Sequence, residues 1–242
     1  MDKKTFDTQR TGLETMSSTI EFADRYNCWF LDKLRPFIGS ALLEIGTGHG
    51  NFRRYLSAVE KFVSVDIDEK VIERAKEKFP EDTFIVADIT SHEFVEKLAA
   101  YPIDTVLCVN VLEHVEDAQR AVRNMLAVLP QGGFLLLFVP ALPLLYNDLD
   151  RLAGHYCRYT KETMRMLIDE PHKIVLLEYF NPVGGVGWWL NKFVKHDSLD
   201  RTDVNFQVTF FDRYLVPISR MLNPVTKNFF GQSLICVVKK AS

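Results

Sequence analysis

The sequence predicts an α/β fold built on a doubly wound sheet with helices on both faces. Between residues 40 and 140, five short aliphatic and β-branched runs alternate with segments of helical periodicity, as in consecutive βαβ units. Each run is almost continuously apolar, which is typical of parallel strands buried on both faces. Two further runs at 173–180 and 233–240 are expected to complete a Rossmann-like sheet of seven strands.

The five central strands are expected at the apolar runs ALLEIG (41–46), KFVSVD (61–66), TFIVAD (83–88), DTVLCVN (104–110) and FLLLFVP (134–140). Two amphipathic helices are expected between them, because apolar residues recur there at helical spacing. The residues of the two apolar stripes are Val71, Ile72, Ala75 and Phe79 in one helix and Ala121, Val122, Met125, Leu126 and Leu129 in the other.

Two insertions are longer than connections in such a sheet require. One spans residues 141–159, and the other spans 181–232 and is rich in aromatic residues. We expect the second to form a helical lid, which the GGVG run at 184–187 would allow to hinge. Residues 1–39 are expected to be an N-terminal helical segment, so that the binding domain occupies 40–242.

A wide apolar helical face is predicted within the second insertion. Its stripe consists of Val208, Phe211, Leu215, Ile218 and Leu222, and further apolar residues widen it. A face of this width must be covered by the rest of the domain, by a second subunit or by a greasy ligand. Burial within the monomer is the simplest of these, and a homodimer is left open.

Composition excludes several classes of function. The net charge is −3 and no basic run is present, so we expect no nucleic-acid partner. The four cysteines lie far apart, without histidines at zinc spacing, so we expect buried thiols and no metal. The first residues lack an apolar signal region, and the longest apolar run contains two prolines. We therefore expect a cytoplasmic protein without stable membrane insertion.

Polar side chains stand at the carboxyl ends of the first four predicted strands, at Glu44, Asp66, Asp88 and Asn110. In open α/β sheets, ligands bind outside these ends, where the strand order reverses. Helix capping explains single acids, as at Asp68, but it does not explain one polar group at every strand end. The pattern therefore indicates a ligand site along this edge.

The stretch LEIGTGHG, residues 43–50, places Gly46, Gly48 and Gly50 directly after the first strand. Glycines let the chain turn tightly and let a ligand approach the backbone. The spacing G-x-G-x-G differs from the G-x-G-x-x-G of dinucleotide sites, and the carboxylate of Glu44 would repel a pyrophosphate. A ligand with a ribose, an adenine and a positive charge fits better than a nicotinamide cofactor.

LEIGTGHG resembles motif I of the class I S-adenosylmethionine-dependent methyltransferases, and the following strand ends match that family in order. The stretch NVLEHVED (110–117) resembles the segment after strand 4 in the methyltransferase 11/12-type subgroup. LPQGGFLLLFVP resembles the usual approach to strand 5. The resemblance covers residues 40–140 without a gap and implies S-adenosylmethionine (AdoMet) as cofactor. Residues 145–160 and 179–191 look like a bacterial branch whose acceptors are mostly unassigned.

The resemblance also implies positions for the cofactor. Glu44 and the three glycines would line the methionine part, Asp66 would bind the ribose hydroxyls, and Asp88 would bind the adenine amino group. Ile89 would pack near the ring, and Asn110 would lie beside the sulfonium. The remaining residues expected at the cofactor are Thr47, Ile67 and Val111.

Methyl transfer from a sulfonium is an in-line displacement, so alignment supplies much of the acceleration. A hydroxyl acceptor also needs a base. The candidates are His114 and His155, although either histidine could serve structure instead. Tyr156 adds a donor beside His155, and Arg158 could hold an acceptor anion or pair with an acid.

These observations predict an AdoMet-dependent methyltransferase that acts on an oxygen or nitrogen of a small-molecule acceptor. An Asn/Asp-Pro-Pro-aromatic segment, which nucleic-acid amino methyltransferases share, is missing at residues 110–113. Two alternatives stay open at this point. One is an AdoMet-binding regulatory or scaffold module without transfer activity, and the other is a nicotinamide-dependent enzyme.

Overall fold

A computed structural model describes residues 23–48, 50, 52–193 and 209–241. The sheet within these residues has seven strands. Their bounds are β1 Ala41–Ile45, β2 Lys61–Asp66, β3 Thr83–Val86, β4 Thr105–Val109, β5 Phe134–Pro140, β6 Lys173–Phe180 and β7 Ser233–Lys239. The predicted strands are therefore confirmed, although β3 and β4 end before Asp88 and Asn110.

The strand order is β3-β2-β1-β4-β5-β7-β6. The strands from β3 to β5 pair in parallel, whereas β7 runs antiparallel to both β5 and β6. The chain moves outward from β1 to β3 and then crosses back to place β4 beside β1. The reversal of strand order, where ligands bind in such sheets, thus lies between β1 and β4.

Eight α-helices accompany the sheet in the described residues. They are α1 Asp24–Leu34, α2 Glu69–Lys78, α3 Phe94–Leu98, α4 Ala118–Ala127, α5 Asp148–Leu152, α6 Lys161–Met166, α7 Pro182–Leu190 and α8 Val216–Thr226. The two predicted amphipathic helices are α2 and α4, and their buried residues belong to the predicted stripes. Among the described helices, none combines the length and apolar content that crossing a bilayer requires.

The sheet is covered on both faces, because alternate residues of β1 enter different hydrophobic clusters. Leu43 and Ile45 pack with the apolar side of α4. Leu42 packs in the other cluster with α1, where Trp29 stacks on Phe180 at a centroid distance of 4.0 Å. The helix predicted in the N-terminal segment therefore contributes directly to the core of the sheet domain.

The first two glycines of the GGVG run have a role in packing, and the hinge expected at this run stays a prediction. The run lies inside α7, and a Cβ atom on Gly184 would approach Asn181 Nδ2 to 2.1 Å and Gln232 Oε1 to 2.2 Å. A Cβ on Gly185 would lie 3.0 Å from the ring of Phe230. Glycine is required here because α7 packs directly against the turn that precedes β7.

Helix α8 follows a π-helical turn at Phe211–Leu215 and presents its apolar side outward. Ile218, Leu222 and Met221 are exposed, and Met221 is 72% exposed. The prediction that this stripe is buried within the monomer is therefore wrong for Ile218 and Leu222 among the described residues. Val208 lies outside the described residues.

The buried side of this segment carries Val216 together with polar residues, which satisfy backbone groups of neighbouring elements. Asp212 accepts hydrogen bonds from the backbone N–H groups of Arg25 and Tyr26, at 3.1 and 2.8 Å. Asn223 Oδ1 accepts from Asn181 N at 3.0 Å, and Ser219 Oγ donates to Asn181 Oδ1 at 2.7 Å. Asn181 has a positive φ of 63°, so these bonds hold a strained turn after β6.

Candidate active site

The glycine loop continues directly from β1 along the edge of β2. The N–H groups of Gly46 and Thr47 both donate to Val65 O, at 2.8 and 3.2 Å. Gly50 N then donates to Thr47 O at 2.8 Å, which closes a tight turn. The φ angles of Gly46, Gly48 and Gly50 are 81°, 51° and 69°, a region that side chains disfavour. All three glycines are therefore required by the path of the loop.

The loop also contacts the segment that follows β4. A Cβ atom on Gly46 would lie 2.4 Å from Val111 Cγ2, which is far inside van der Waals contact. Gly46 and Val111 thus meet across the reversal of strand order. The structure brings these two predicted cofactor residues together.

Asp66 connects the end of β2 to the loop. Its Oδ2 accepts a hydrogen bond from Gly48 N at 3.3 Å, and its Oδ1 accepts from Asp68 N at 3.0 Å. Burial raises the pKa of Asp66. Asp68 has a different role, because it caps α2 by accepting from Lys70 N at 2.9 Å. Of the two neighbouring acids, Asp66 is the one that lies at the glycine loop.

Glu44 lies beneath the loop rather than beside an open surface. Its Oε2 accepts from Ser64 Oγ at 2.8 Å, and Ser64 Oγ is 2.7 Å from Thr47 Oγ1. Its Oε1 is buried and has no hydrogen-bond partner among the described residues. Burial raises the pKa of Glu44 to about 8. Without a nearby cation, burial thus favours the protonated form of Glu44 at neutral pH, and a cationic ligand beside it would favour the carboxylate.

The other predicted cofactor residues lie along the same edge. Asp88 follows β3, and its Oδ1 accepts from Thr90 N and Oγ1, both at 2.8 Å. Ile89 is buried and Ile67 is exposed. Asn110 follows β4 with a positive φ of 51°, a conformation in which asparagine is enriched.

Two predicted bases, His114 and His155, meet a buried carboxylate. Glu113 and His114 form part of the 3-10 turn Leu112–His114 after β4, whereas His155 comes from the insertion after α5. The histidine ring centroids are 4.7 Å apart, and His155 Nε2 is 4.0 Å from Glu113 Oε1. One ligand atom from each residue lies within 4.8 Å of the others. We call Glu113, His114 and His155 the acceptor cluster.

Asp150, which the sequence reasoning missed, organises this cluster. It is 0% exposed, and its Oδ1 lies 2.8 Å from His155 Nδ1 and accepts from Arg158 Nε at 2.9 Å. Its Oδ2 accepts from Trp188 Nε1 at 3.2 Å. Burial acts to raise the pKa of Asp150, but the bonds from His155 and Arg158 hold it below its usual value. The signal that could have found it is an aspartate followed closely by a histidine and an arginine in DLDRLAGHYCR.

Arg158 is therefore not free to bind an acceptor anion. It is 4% exposed, its Nη1 donates to Ala141 O at 3.1 Å, and its guanidinium lies 5.0 Å from the centre of the Trp188 ring. Of the two predicted roles, pairing with an acid is the one observed, although the acid is buried. Tyr156 has an exposed ring, and its backbone N–H donates to Glu113 O at 2.8 Å.

Burial also sets the charge of the acceptor cluster. It raises the pKa of Glu113 to about 8. Burial, followed by repulsion from His155, lowers the pKa of His114 to about 4. At neutral pH, His114 is thus a neutral imidazole and Glu113 favours its protonated form unless a cation is near.

Residues 43–137 match a family model described as a methyltransferase domain. This region is a class I AdoMet-dependent methyltransferase domain. The matched region includes the glycine loop, the strand-end acids and the LEHV segment of the acceptor cluster. The predicted family and its cofactor are thereby confirmed, and the nicotinamide alternative is set aside.

Known proteins similar to this methyltransferase include a ubiquinone/menaquinone biosynthesis C-methyltransferase, UbiE, from Enterobacter sp. strain 638. It is 24% identical over 180 residues, which are 61% of this chain and 71% of the relative. An S-adenosylmethionine-dependent methyltransferase from Mesorhizobium loti superimposes with a TM-score of 0.60 at 18% identity, covering 90% of this chain and all of that one. N-methyltransferase NodS from Bradyrhizobium japonicum WM9, in complex with S-adenosyl-L-homocysteine, superimposes with a TM-score of 0.56 at 17% identity. The superposition covers 91% of this chain and 88% of that one. These structures show the shared fold.

The strand-end residues of this methyltransferase fit AdoMet chemically. Three glycines with positive φ form the loop after β1, so a ligand can approach its backbone closely. The unpartnered Oε1 of Glu44 offers an acceptor beneath the loop, and the cofactor carries cationic groups that suit it. Asp66 provides carboxylate oxygens at the end of β2, where ribose hydroxyls bind in doubly wound sheets.

Proposed function

We propose that this methyltransferase transfers the methyl group of AdoMet to a small-molecule acceptor whose hydroxyl or amine loses a proton in the reaction. The observation that carries the proposal is the acceptor cluster. Glu113 and His114 follow β4 and lie within three residues of Val111, which contacts the glycine loop, and His155 joins them from the insertion after α5. Donor and acceptor groups are thus supported by one edge of the sheet, as an in-line displacement requires.

Asp150 determines how His155 can act. The ionised carboxylate at 2.8 Å from Nδ1 favours a proton on that nitrogen, which leaves Nε2 with a lone pair. His155 Nε2 can therefore take the proton of an acceptor hydroxyl. AdoMet, when bound, supplies a methyl group on a sulfonium. As the acceptor atom forms its bond to carbon, the S–C bond breaks, and its electron pair remains on the sulfur of S-adenosylhomocysteine.

The atom that receives the methyl group is proposed to be an oxygen or a nitrogen. The relative from Enterobacter is named a C-methyltransferase, which supports a second candidate. A phenol that has lost its proton can react at oxygen, or at an activated ring carbon that then gives up its own hydrogen as a proton, so the same acceptor cluster serves both outcomes. Incubation of hydroxylated and amine acceptors with methyl-labelled AdoMet, followed by mass spectrometry and NMR of the product, would distinguish them. AdoMet binding without release of S-adenosylhomocysteine from any acceptor would instead support a binding module.

Asp66→Ala and Asp88→Ala are each expected to weaken AdoMet binding by about 1–3 kcal/mol, because each removes charge-assisted hydrogen bonds. Isothermal titration calorimetry measures the effect. Asp68→Ala is the matched control, since Asp68 caps α2. It should cost about 1 kcal/mol of stability and leave the affinity unchanged. Wild-type affinity in both test variants would contradict the proposed roles.

His155→Ala is expected to lower the rate of S-adenosylhomocysteine release at least tenfold while AdoMet affinity stays close to that of the wild type. A positioned base typically contributes about 10²–10⁴-fold to a rate. His92→Ala changes an exposed histidine and serves as the control. Equal losses of rate and of cofactor affinity in His155→Ala would show that the residue acts only through structure.

A further inference from the structure

We propose that the acceptor cluster of Glu113, His114 and His155 binds a divalent transition-metal ion, with Zn²⁺ as the preferred species. The proposal rests on the proposed function in one respect, because it assigns the ion to the acceptor side of the transfer reaction. It replaces the expectation of a protein without metal. The chain shows no zinc spacing because two ligands are adjacent and the third comes from a separate insertion.

The donor set is the first argument for the ion. Two imidazoles and one carboxylate are ligands that zinc and related ions use in catalytic sites, where three protein groups leave a position open. One ligand atom from each residue lies within 4.8 Å of the others, and His155 Nε2 is 4.0 Å from Glu113 Oε1. Ligand atoms around one tetrahedral ion at about 2.0–2.2 Å are separated by roughly 3.3–3.6 Å, so only small side-chain shifts are needed.

The burial of Glu113 is the second argument. Its side chain is 1% exposed, and its Oε2 has no hydrogen-bond partner among the described residues. A buried polar atom without a partner is destabilising, and a bound cation would satisfy it. His114 reaches solvent at the edge of the cluster, although neighbouring atoms surround much of its ring, so an open coordination position can face the acceptor.

The surroundings of both histidines are the third argument. Histidine ligands of metals usually donate a hydrogen bond from their second ring nitrogen to a carboxylate or a backbone carbonyl. His155 Nδ1 lies 2.8 Å from Asp150, which Arg158 and Trp188 hold in place. The backbone of Gly154 forms a hydrogen bond with His114. The outer groups that orient metal ligands are thus already present.

A bound ion would offer its open position to the acceptor oxygen and would lower the pKa of the O–H group. The proton would pass to solvent, and the oxygen would keep the electron pair that forms the bond to the methyl carbon while the S–C bond breaks. His155 Nε2 would then be a ligand, so the ion would replace the base role that is assigned to His155 under the proposed function; His155→Ala would lower turnover in either case. No oxidation or reduction occurs.

The test uses the full chain without an affinity tag. Zn²⁺ binding is measured by calorimetry and by metal analysis after dialysis, and Co²⁺ binding by visible absorption. We expect one ion per chain in the wild type and an affinity at least tenfold lower in Glu113→Gln and His155→Ala. The matched controls are His92→Ala and Cys28→Ala, which alter an exposed imidazole and an exposed thiol. Circular dichroism and AdoMet titration confirm that each variant is folded.

Zn²⁺ bound equally by wild type and Glu113→Gln, or no saturable binding at all, would overturn the metal site. These outcomes are separable from the fate of the proposed function. Release of S-adenosylhomocysteine that persists in a chelator, with no stoichiometric ion, would reject the metal site and retain methyl transfer. One bound ion that is lost in Glu113→Gln, without transfer to any acceptor, would retain the metal site and reject the proposed function.

Discussion

Gly46→Ala is expected to lower AdoMet affinity at least tenfold, which corresponds to about 1.4 kcal/mol. The φ of 81° at this position costs an alanine about 1–2 kcal/mol. In addition, the new Cβ would lie 2.4 Å from Val111 Cγ2. The loop or Val111 must therefore shift, and both are expected to contact the cofactor. Titration calorimetry gives the affinity, and urea unfolding gives the stability.

Gly132→Ala separates backbone strain from the contact with Val111. Gly132 has a φ of 78°, but the nearest atom to its Cβ would be Lys239 Cε at 3.9 Å. This control should lose a similar stability and keep its AdoMet affinity. The double variant Gly46→Ala/Val111→Ala should recover part of the affinity, because it removes the clashing methyl groups. If Gly46→Ala bound AdoMet as tightly as the wild type, the loop would not line the cofactor site.

Asp150→Ala is expected to reduce the free energy of unfolding by about 3–5 kcal/mol, the loss typical of removing one partner from a buried ion pair. Arg158 would remain buried without its carboxylate, and Trp188 and His155 would each lose a hydrogen-bond partner. Urea unfolding followed by fluorescence and circular dichroism measures this loss. The same change should lower turnover, since His155 loses the group that orients its ring.

Asp148→Ala is the matched control for this prediction. Asp148 lies on the same helix and pairs with Arg151 at 2.9 Å, but both side chains are largely exposed, so the expected loss is below about 1 kcal/mol. The double variant Asp150→Leu/Arg158→Met should be more stable than Asp150→Ala, because replacing both members of a buried pair by apolar groups is often neutral. If Asp148→Ala and Asp150→Ala reduced the free energy of unfolding equally, the buried pair would contribute no more to stability than the exposed one.

The strands and the cofactor edge were predictable because their signals are local. Continuous apolar runs mark strands covered on both faces, and β1, β2 and β5 begin where those runs begin. Glycines in a left-handed conformation and acids at strand ends occupy fixed positions relative to each strand. The family resemblance at residues 43–50 rests on the same local pattern.

Local signals were insufficient for the insertion between β6 and β7. The apolar stripe on Ile218 and Leu222 predicted burial, yet the buried face of α8 carries Ser219 and Asn223. Their hydrogen bonds to Asn181 decide the orientation of the helix. A helical periodicity shows which residues share a face, but the polar partners on other elements determine which face turns inward.

The sequence by itself determined the parallel sheet, the side-chain-free loop after its first strand and the acids at the strand ends, because each depends on neighbours within a few positions. Only the tertiary structure decided that Glu113, His114 and His155 meet, that Asp150 and Arg158 form a buried pair behind them, and that α8 faces outward. These contacts join segments that are separated along the chain. Burial, which depends on the whole fold, shifts the pKa values of the titratable groups among them.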